Sequence, residues 1–321
     1  MNGPIDGQSK RRTRRTIIQW GIAAAVLVFV FRGLSGEWQI VQDVVARADW
    51  RWLFVALLPG LLYFDLRARA WLAILTGWQV RASYRNGIRV WMTAEALRYI
   101  PGTIWAVLGR VAQASALRTS KSIIGISLLQ EALLMLISAV FLLAVAAIPM
   151  AEILSIQTWL PWVVLVASAI GGTLMLIPKT GALLGRTFAR ILRRGEFALG
   201  SMRGQAISLP LFVSAWAAFA GFQVLIARSF GYATSVTDAV LIGIAVILGW
   251  ILGYVTVFAP SGFGVREGTI AFILAPTMGT TDALIVAALT RVGLILVEGV
   301  ALLLVLLFPS RAREESGPPP S

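Results

Sequence analysis

Seven long apolar runs set the pattern of this chain, at residues 17–31, 52–64, 123–148, 159–177, 207–227, 239–258 and 283–308. Polar residues gather in the gaps between them. About 20 apolar residues cross a bilayer as one helix, and a helix apolar on every side belongs in lipid or a large core. The first run is short and is extended by Thr16 and Gly33. Trp50, Trp52, Trp159, Trp162 and Tyr232 stand near run ends, as expected of an interfacial aromatic belt. The pattern predicts an all-α, polytopic integral membrane helix bundle with about eight crossings.

Two segments do not read as simple spans. Residues 90–111 carry Glu95, Arg98, Pro101, Gly102 and Arg110 and lie between basic loops; a helix pair that dips in and returns fits them. Residues 260–276 read Pro-Ser-Gly-Phe-Gly-Val-Arg-Glu-Gly and then a short apolar stretch. They are too short for an ordinary span, so a broken helix buried by its neighbours is expected. Helix, Pro-Gly break, Arg and a long acid-bearing helix thus occur twice: Pro101, Gly102, Arg110 and Glu131, then Pro260, Gly262, Arg266 and Glu298. Internal repeats of transporters place broken helices in this way; two chance breaks in a Gly-rich chain give the same picture.

Composition supports a lipid environment. The chain is 58% hydrophobic and 13% charged over 321 residues, against about a quarter charged in soluble domains. Lys and Arg number 28 against 15 Asp and Glu. The basic residues sit in gaps between runs, which points to topology control rather than nucleic acid. The groups are Arg67, Arg69, Arg81, Arg85 and Arg89; Arg110, Arg118 and Lys121; and Lys179, Arg186, Arg190, Arg193, Arg194 and Arg203. All are expected in the cytoplasm, beside a basic N-terminal arm over residues 1–15. Residues 17–31 then form a retained first span, since no small-x-small cleavage site follows. Residues 181–202 are expected to lie on the membrane surface as an amphipathic helix. One transmembrane domain covers 16–309, and 310–321 form a disordered cytoplasmic tail.

There is no Cys and no His. Thiol nucleophiles, Ser-His-Asp triads and most zinc sites are therefore excluded. No phosphate-binding Walker loop and no GxSxG elbow occurs. No catalytic residue, cofactor or metal is expected, and the chain reads as a non-enzyme.

The remaining candidates are the second break and the charges inside apolar runs. Pro260 stops a helix and Ser261 can cap the next. Gly262 and Gly264 leave backbone N–H groups uncovered. With the positive helix end, these suit an anion, and Arg266 can grip a phosphate through two N–H groups. A plain kink with local ion pairs is the alternative. Glu131, Arg291 and Glu298 lie deep in apolar helices, where a charge costs about 2.5–3.5 kcal/mol on insertion scales. Arg291 and Glu298 share a face but stand roughly 10 Å apart along the axis, so each needs another partner. Glu267 is the expected partner of Arg291, and Arg266 or Arg110 of Glu298 or Glu131. Glu95 and Arg98 can pair locally. Asp65, with Arg67 and Arg69, reads as structural at the interface.

The segment Pro260-Ser261-Gly262-Phe263-Gly264-Val265-Arg266-Glu267-Gly268 resembles the Pro-Gly-Gly-x-Gly-x-Arg-Glu segment of the lysylphosphatidylglycerol synthase transmembrane (flippase-like) family. Tyr99-Ile100-Pro101-Gly102-Thr103-Ile104-Trp105 with Gly109-Arg110, and Gln130-Glu131 after it, resemble that family's first break and its acid-bearing helix. Ser261 departs from the usual second small residue. The family is similar to the membrane half of the multiple peptide resistance factor, and the resemblance implies binding and translocation of a lipid. The expected function is passage of an anionic lipid headgroup, phospholipid or isoprenoid phosphate, between leaflets. Arg110, Arg266, Ser261, Gly262 and Gly264 would hold the phosphate, and Glu131, Glu267, Arg291 and Glu298 would line the cavity. The alternative is a non-transporting membrane subunit that docks a glycosyltransferase or lipid-synthesis enzyme through residues 181–203.

Overall fold

The computed structural model describes residues 46, 48–99, 105–177, 202–256 and 264–307. The expected first span, the tail, and all but the last residue of the expected surface helix lie outside these residues. So do Pro101, Gly102, Pro260, Ser261 and Gly262. The chain divides into two compact units, Met1–Ala48 and Asp49–Ser321, and the helices below belong to the second.

Nine α-helices and no strand occur among the described residues. They are α1 (Trp50–Gly77), α2 (Tyr84–Glu95), α3 (Trp105–Ala112), α4 (Lys121–Ala147), α5 (Leu160–Met175), α6 (Met202–Ser229), α7 (Val236–Val255), α8 (Val265–Met278) and α9 (Thr280–Leu307). A 3₁₀ turn at Ala96–Tyr99 continues α2. The helix starts follow local capping chemistry. Asp49 accepts the Arg51 N–H at 3.0 Å, Ser120 accepts the Ile123 N–H, and Ser235 and Asp238 cap each other's backbone at the start of α7. Each such cap satisfies donors that the first turn leaves open.

Among the described residues, α4, α6, α7 and α9 are long and apolar enough to cross a membrane. Only a third to a half of their most apolar windows is buried by protein, so the rest meets hydrocarbon. α1 presents Phe54, Leu58 and Leu62 at helical spacing as exposed side chains, a lipid-facing stripe. α5 leaves Trp162, Val163, Val166, Ile170 and Leu174 exposed and packs against α4.

α1 and α6 form the central pair. The Asp49 N–H donates to Ser229 O at one end, and Ser208 Oγ donates to Ala70 O near the other. The two helices therefore run antiparallel along their whole length. Trp216 reaches from α6 to Met135 O of α4, and Trp78, just beyond α1, donates to Gln130 of α4. These links bring the C-terminal end of α1 beside the N-terminal halves of α4 and α6. Arg81, Arg85, Arg89, Arg118, Lys121 and Arg203 all flank that end, here called the basic end. Asp49, Ser229 and Ser235 mark the far end.

The apolar run at 52–64 continues as helix to Gly77. That corrects the reading of Arg67 as an interface residue: its side chain is buried within the bundle. The sequence pattern stopped at Asp65 because polar residues begin there. The helix continues because Arg67 finds carboxylate and aromatic partners inside. Asp65 and Arg69 stay at the periphery, paired at 2.7 Å, with Tyr84 donating to Asp65 and standing under Arg69.

Candidate functional site: a buried polar seam

Three arginines and three glutamates meet where α1, α2, α3, α4 and α9 converge. Glu95, the last residue of α2, accepts from Arg67 Nη1 at 3.3 Å, from Arg98 Nη1 at 2.7 Å and from Arg110 Nη2 at 3.3 Å. Glu131 of α4 pairs with Arg110 and accepts the Trp91 indole N–H at 3.1 Å; Arg67 Nη2 stands 4.0 Å from it. Arg98 also pairs with Glu298 of α9. The Tyr99 hydroxyl accepts from Arg98 and donates to Glu298 at 2.6 Å. Aromatic faces complete the shell: Arg67 lies 4.7 Å from the Trp91 ring centre, and Arg110 lies 5.1 Å from those of Trp71 and Trp91. Such faces attract a guanidinium that has left water.

Position along the helices decides the setting. Arg67 is ten residues from the end of α1, Glu131 ten from the start of α4 and Glu298 nine from the end of α9. At 1.5 Å per residue each lies roughly 14–15 Å in from the basic end. The three helices, 27–28 residues long, overrun a hydrocarbon core of about 30 Å by about 5–6 Å at each end when centred on it, which sets the charges about 8–10 Å inside. Charges at this depth persist only when paired or functional.

α8 and α9 add a second cluster. Gly264 has φ +83°, a conformation that an L side chain disfavours. It turns the chain into α8, and its N–H donates to Glu267 at 2.7 Å. Glu267 also faces Arg291 of α9 at 3.6 Å, the partnership expected from the sequence. Arg266 points the other way. It is buried and stands 5.5 Å from the Phe219 ring centre. It has no carboxylate within ion-pair distance among the described residues, and its Nη2 is buried without a hydrogen-bond partner.

The expected pairings thus divide. Arg110 does hold Glu131. Glu298 takes Arg98 rather than Arg266 or Arg110, because the 3₁₀ turn after α2 aims Arg98 across the seam at α9. Arg110 is enclosed by two carboxylates and its charge is balanced within the protein. Glu131 and Glu298 are buried, and Glu267 and Arg291 are partly buried. Arg67, Glu95, Arg98 and Tyr99 were absent from the expected site. Tyr63 and Trp71, one turn either side of Arg67, were the available signal, since aromatic residues bracketing a cation on one helix face mark a sheltered charge. Five arginines (67, 98, 110, 266 and 291) face four glutamates (95, 131, 267 and 298) in the two clusters, and among the described residues the arginine without a carboxylate at ion-pair distance is Arg266.

The acid on α4 and the arginine in the last turn of α3 stand together in the seam, and Glu267 and Arg291 face each other in the second cluster. A model of the lysylphosphatidylglycerol synthase TM region matches residues 16–300. The chain belongs to this family. No curated protein and no solved structure matches it. Membership makes it a multi-pass membrane protein tied to lipid handling, and the four apolar helices agree.

A close helix crossing holds Arg266 in place. A Cβ on Gly249 of α7 would lie 3.0 Å from Arg266 O and 3.2 Å from Ile270 Cγ1. Gly249→Leu is therefore expected to force α8 away from α7, at a cost of about 1–3 kcal/mol. A lowered unfolding midpoint of the purified protein in detergent would register it. An unchanged midpoint would show that the two helices are not packed this closely.

Proposed function

We propose that this family member binds an anionic lipid at the seam and moves its headgroup between leaflets, with no covalent step. The observation that carries the reading is Arg266, a buried guanidinium with a bare N–H and, among the described residues, no carboxylate at ion-pair distance. An isolated buried cation is costly. A lipid phosphate would supply the missing anion, gripped through two N–H groups. The Gly264 N–H, expected from the sequence to be uncovered, is taken by Glu267, which caps the positive end of α8, so the grip would fall to Arg266. Arg98, Arg110 and Arg67, already balanced by Glu95, Glu131 and Glu298, would form the rigid wall of the path, with Arg291 and Glu267 opposite. The acyl chains would stay in the bilayer. Phospholipids and isoprenoid phosphates both present the required anion. In this reading the chain sits in the inner membrane with its basic end in the cytoplasm.

The test is a liposome assay with purified protein and fluorescent analogues of phosphatidylglycerol, an isoprenoid phosphate and phosphatidylcholine. Transfer of an anionic analogue above empty liposomes, in excess of the phosphatidylcholine analogue, is expected. No transfer of either anionic lipid would contradict the proposal.

A further inference from the structure

A second feature lies at the far end, away from the seam. α4, α6 and α7 enclose an open groove of about 490 Å³. Its lining is apolar and mixes small residues (Ala220 and Gly221 of α6, Gly243 of α7) with larger ones (Leu142 of α4, Val224 of α6, Ile247 of α7). Arg228, Thr234 and Ser235 stand at its rim.

The dimensions select the occupant. The lining runs from Ala217 to Arg228 on α6 and from Val236 to Ile247 on α7, about 16 Å along each helix. Spread over that length, and adding the radius of a water molecule at each wall, the groove is about 9 Å wide. A helix with its side chains is about 10–12 Å across and does not fit. A hydrocarbon chain, about 4 Å thick at carbon contact distance, does. The groove's length also matches the roughly 15 Å depth of one leaflet's hydrocarbon.

The rim adds charge. Arg228 is exposed and stacks 4.4 Å from the Trp52 ring centre, beside Trp50 in the aromatic belt. Among the described residues it forms no ion pair. The acid nearest in sequence, Asp238, is occupied by the Thr234 and Ser235 N–H groups at 3.2 and 2.9 Å and by the Thr234 hydroxyl at 3.0 Å. A fixed cation above an alkyl-sized slot, at headgroup level, is complementary to an anionic phospholipid.

We propose that this groove holds one acyl chain of an anionic glycerophospholipid from the leaflet at the far end, with its phosphate on Arg228. The site does not depend on transport through the seam. It makes this face of the bundle a lipid-binding subsite in its own right.

The experiment reconstitutes the full chain in phosphatidylcholine liposomes with a trace of phosphatidylglycerol bearing a diazirine on its acyl chain. A phosphatidylcholine probe with the same chain serves as control. After irradiation, labelled peptides are mapped by mass spectrometry. Label is expected on the groove residues of α6 and α7, about fivefold stronger from phosphatidylglycerol. Arg228→Gln should bring the two probes level. Gly221→Trp should cut groove labelling about tenfold, because a Cβ there meets nothing within 4 Å and the ring enters the groove without displacing a helix. Label spread over Phe54, Leu58 and Phe272 with no excess in the groove would overturn the proposal. So would equal labelling by both probes in the unmodified protein, or cross-linking of the groove to a second copy of the chain.

Discussion

Glu131→Gln is expected to destabilise the protein by about 3–5 kcal/mol, the usual cost of removing one partner from a buried ion pair. Glutamine can still accept the Trp91 N–H, so the loss comes from charge. Arg110 would keep only Glu95, which already serves Arg67 and Arg98. Replacing both partners gives a contrasting result. The Arg110→Met, Glu131→Met double variant removes the pair together, and such replacements are often neutral or stabilising. It should recover most of the unfolding midpoint lost in the single variant. Equal midpoints for the single variant and the unmodified protein would show that Glu131 does not hold the seam together.

Arg266→Gln is expected to do the opposite. Among the described residues Arg266 has no carboxylate at ion-pair distance to abandon, so neutralising it removes a cost within the bundle rather than a partner. The purified variant should unfold at the same temperature as the unmodified protein or a higher one. Transfer of the anionic fluorescent lipid should fall at least about tenfold, which corresponds to roughly 1.4 kcal/mol. Arg266→Lys keeps the charge but loses the two-pronged donor geometry, and is expected to fall between them. Stability and transport moving in opposite directions is the signature of a residue kept for a ligand. A variant that lost both together would mark Arg266 as a structural residue.

The fold was readable because lipid imposes a simple rule. Every backbone group must be satisfied within the segment, so uninterrupted apolar runs become helices. Residues 123–148 and 239–258 became α4 and α7 nearly end to end. The rule failed at Asp65, where the run ended but the helix did not. It judges side chains one at a time, whereas Arg67 is tolerated because of Glu95, 28 residues away. Within the seam, local pairings were legible. Glu95 and Arg98 are three apart and do pair. The Arg98 link to Glu298 joins residues 200 apart, and nothing in either neighbourhood announces it. The Arg266 and Glu267 dipeptide shows the same limit. The sequence places a cation and an anion side by side, and only the turn at Gly264 sends Glu267 back to the helix cap and toward Arg291 while Arg266 faces the bundle.

In the proposed function the buried charge of Arg266 awaits a lipid phosphate. The most direct measurement is an experimental structure of the full chain in nanodiscs rich in anionic phospholipid. Phosphate density about 3 Å from the Arg266 guanidinium, continuous with acyl density in the bilayer, is the predicted result. A guanidinium paired with a carboxylate of the protein, with no phosphate beside it, would contradict the account.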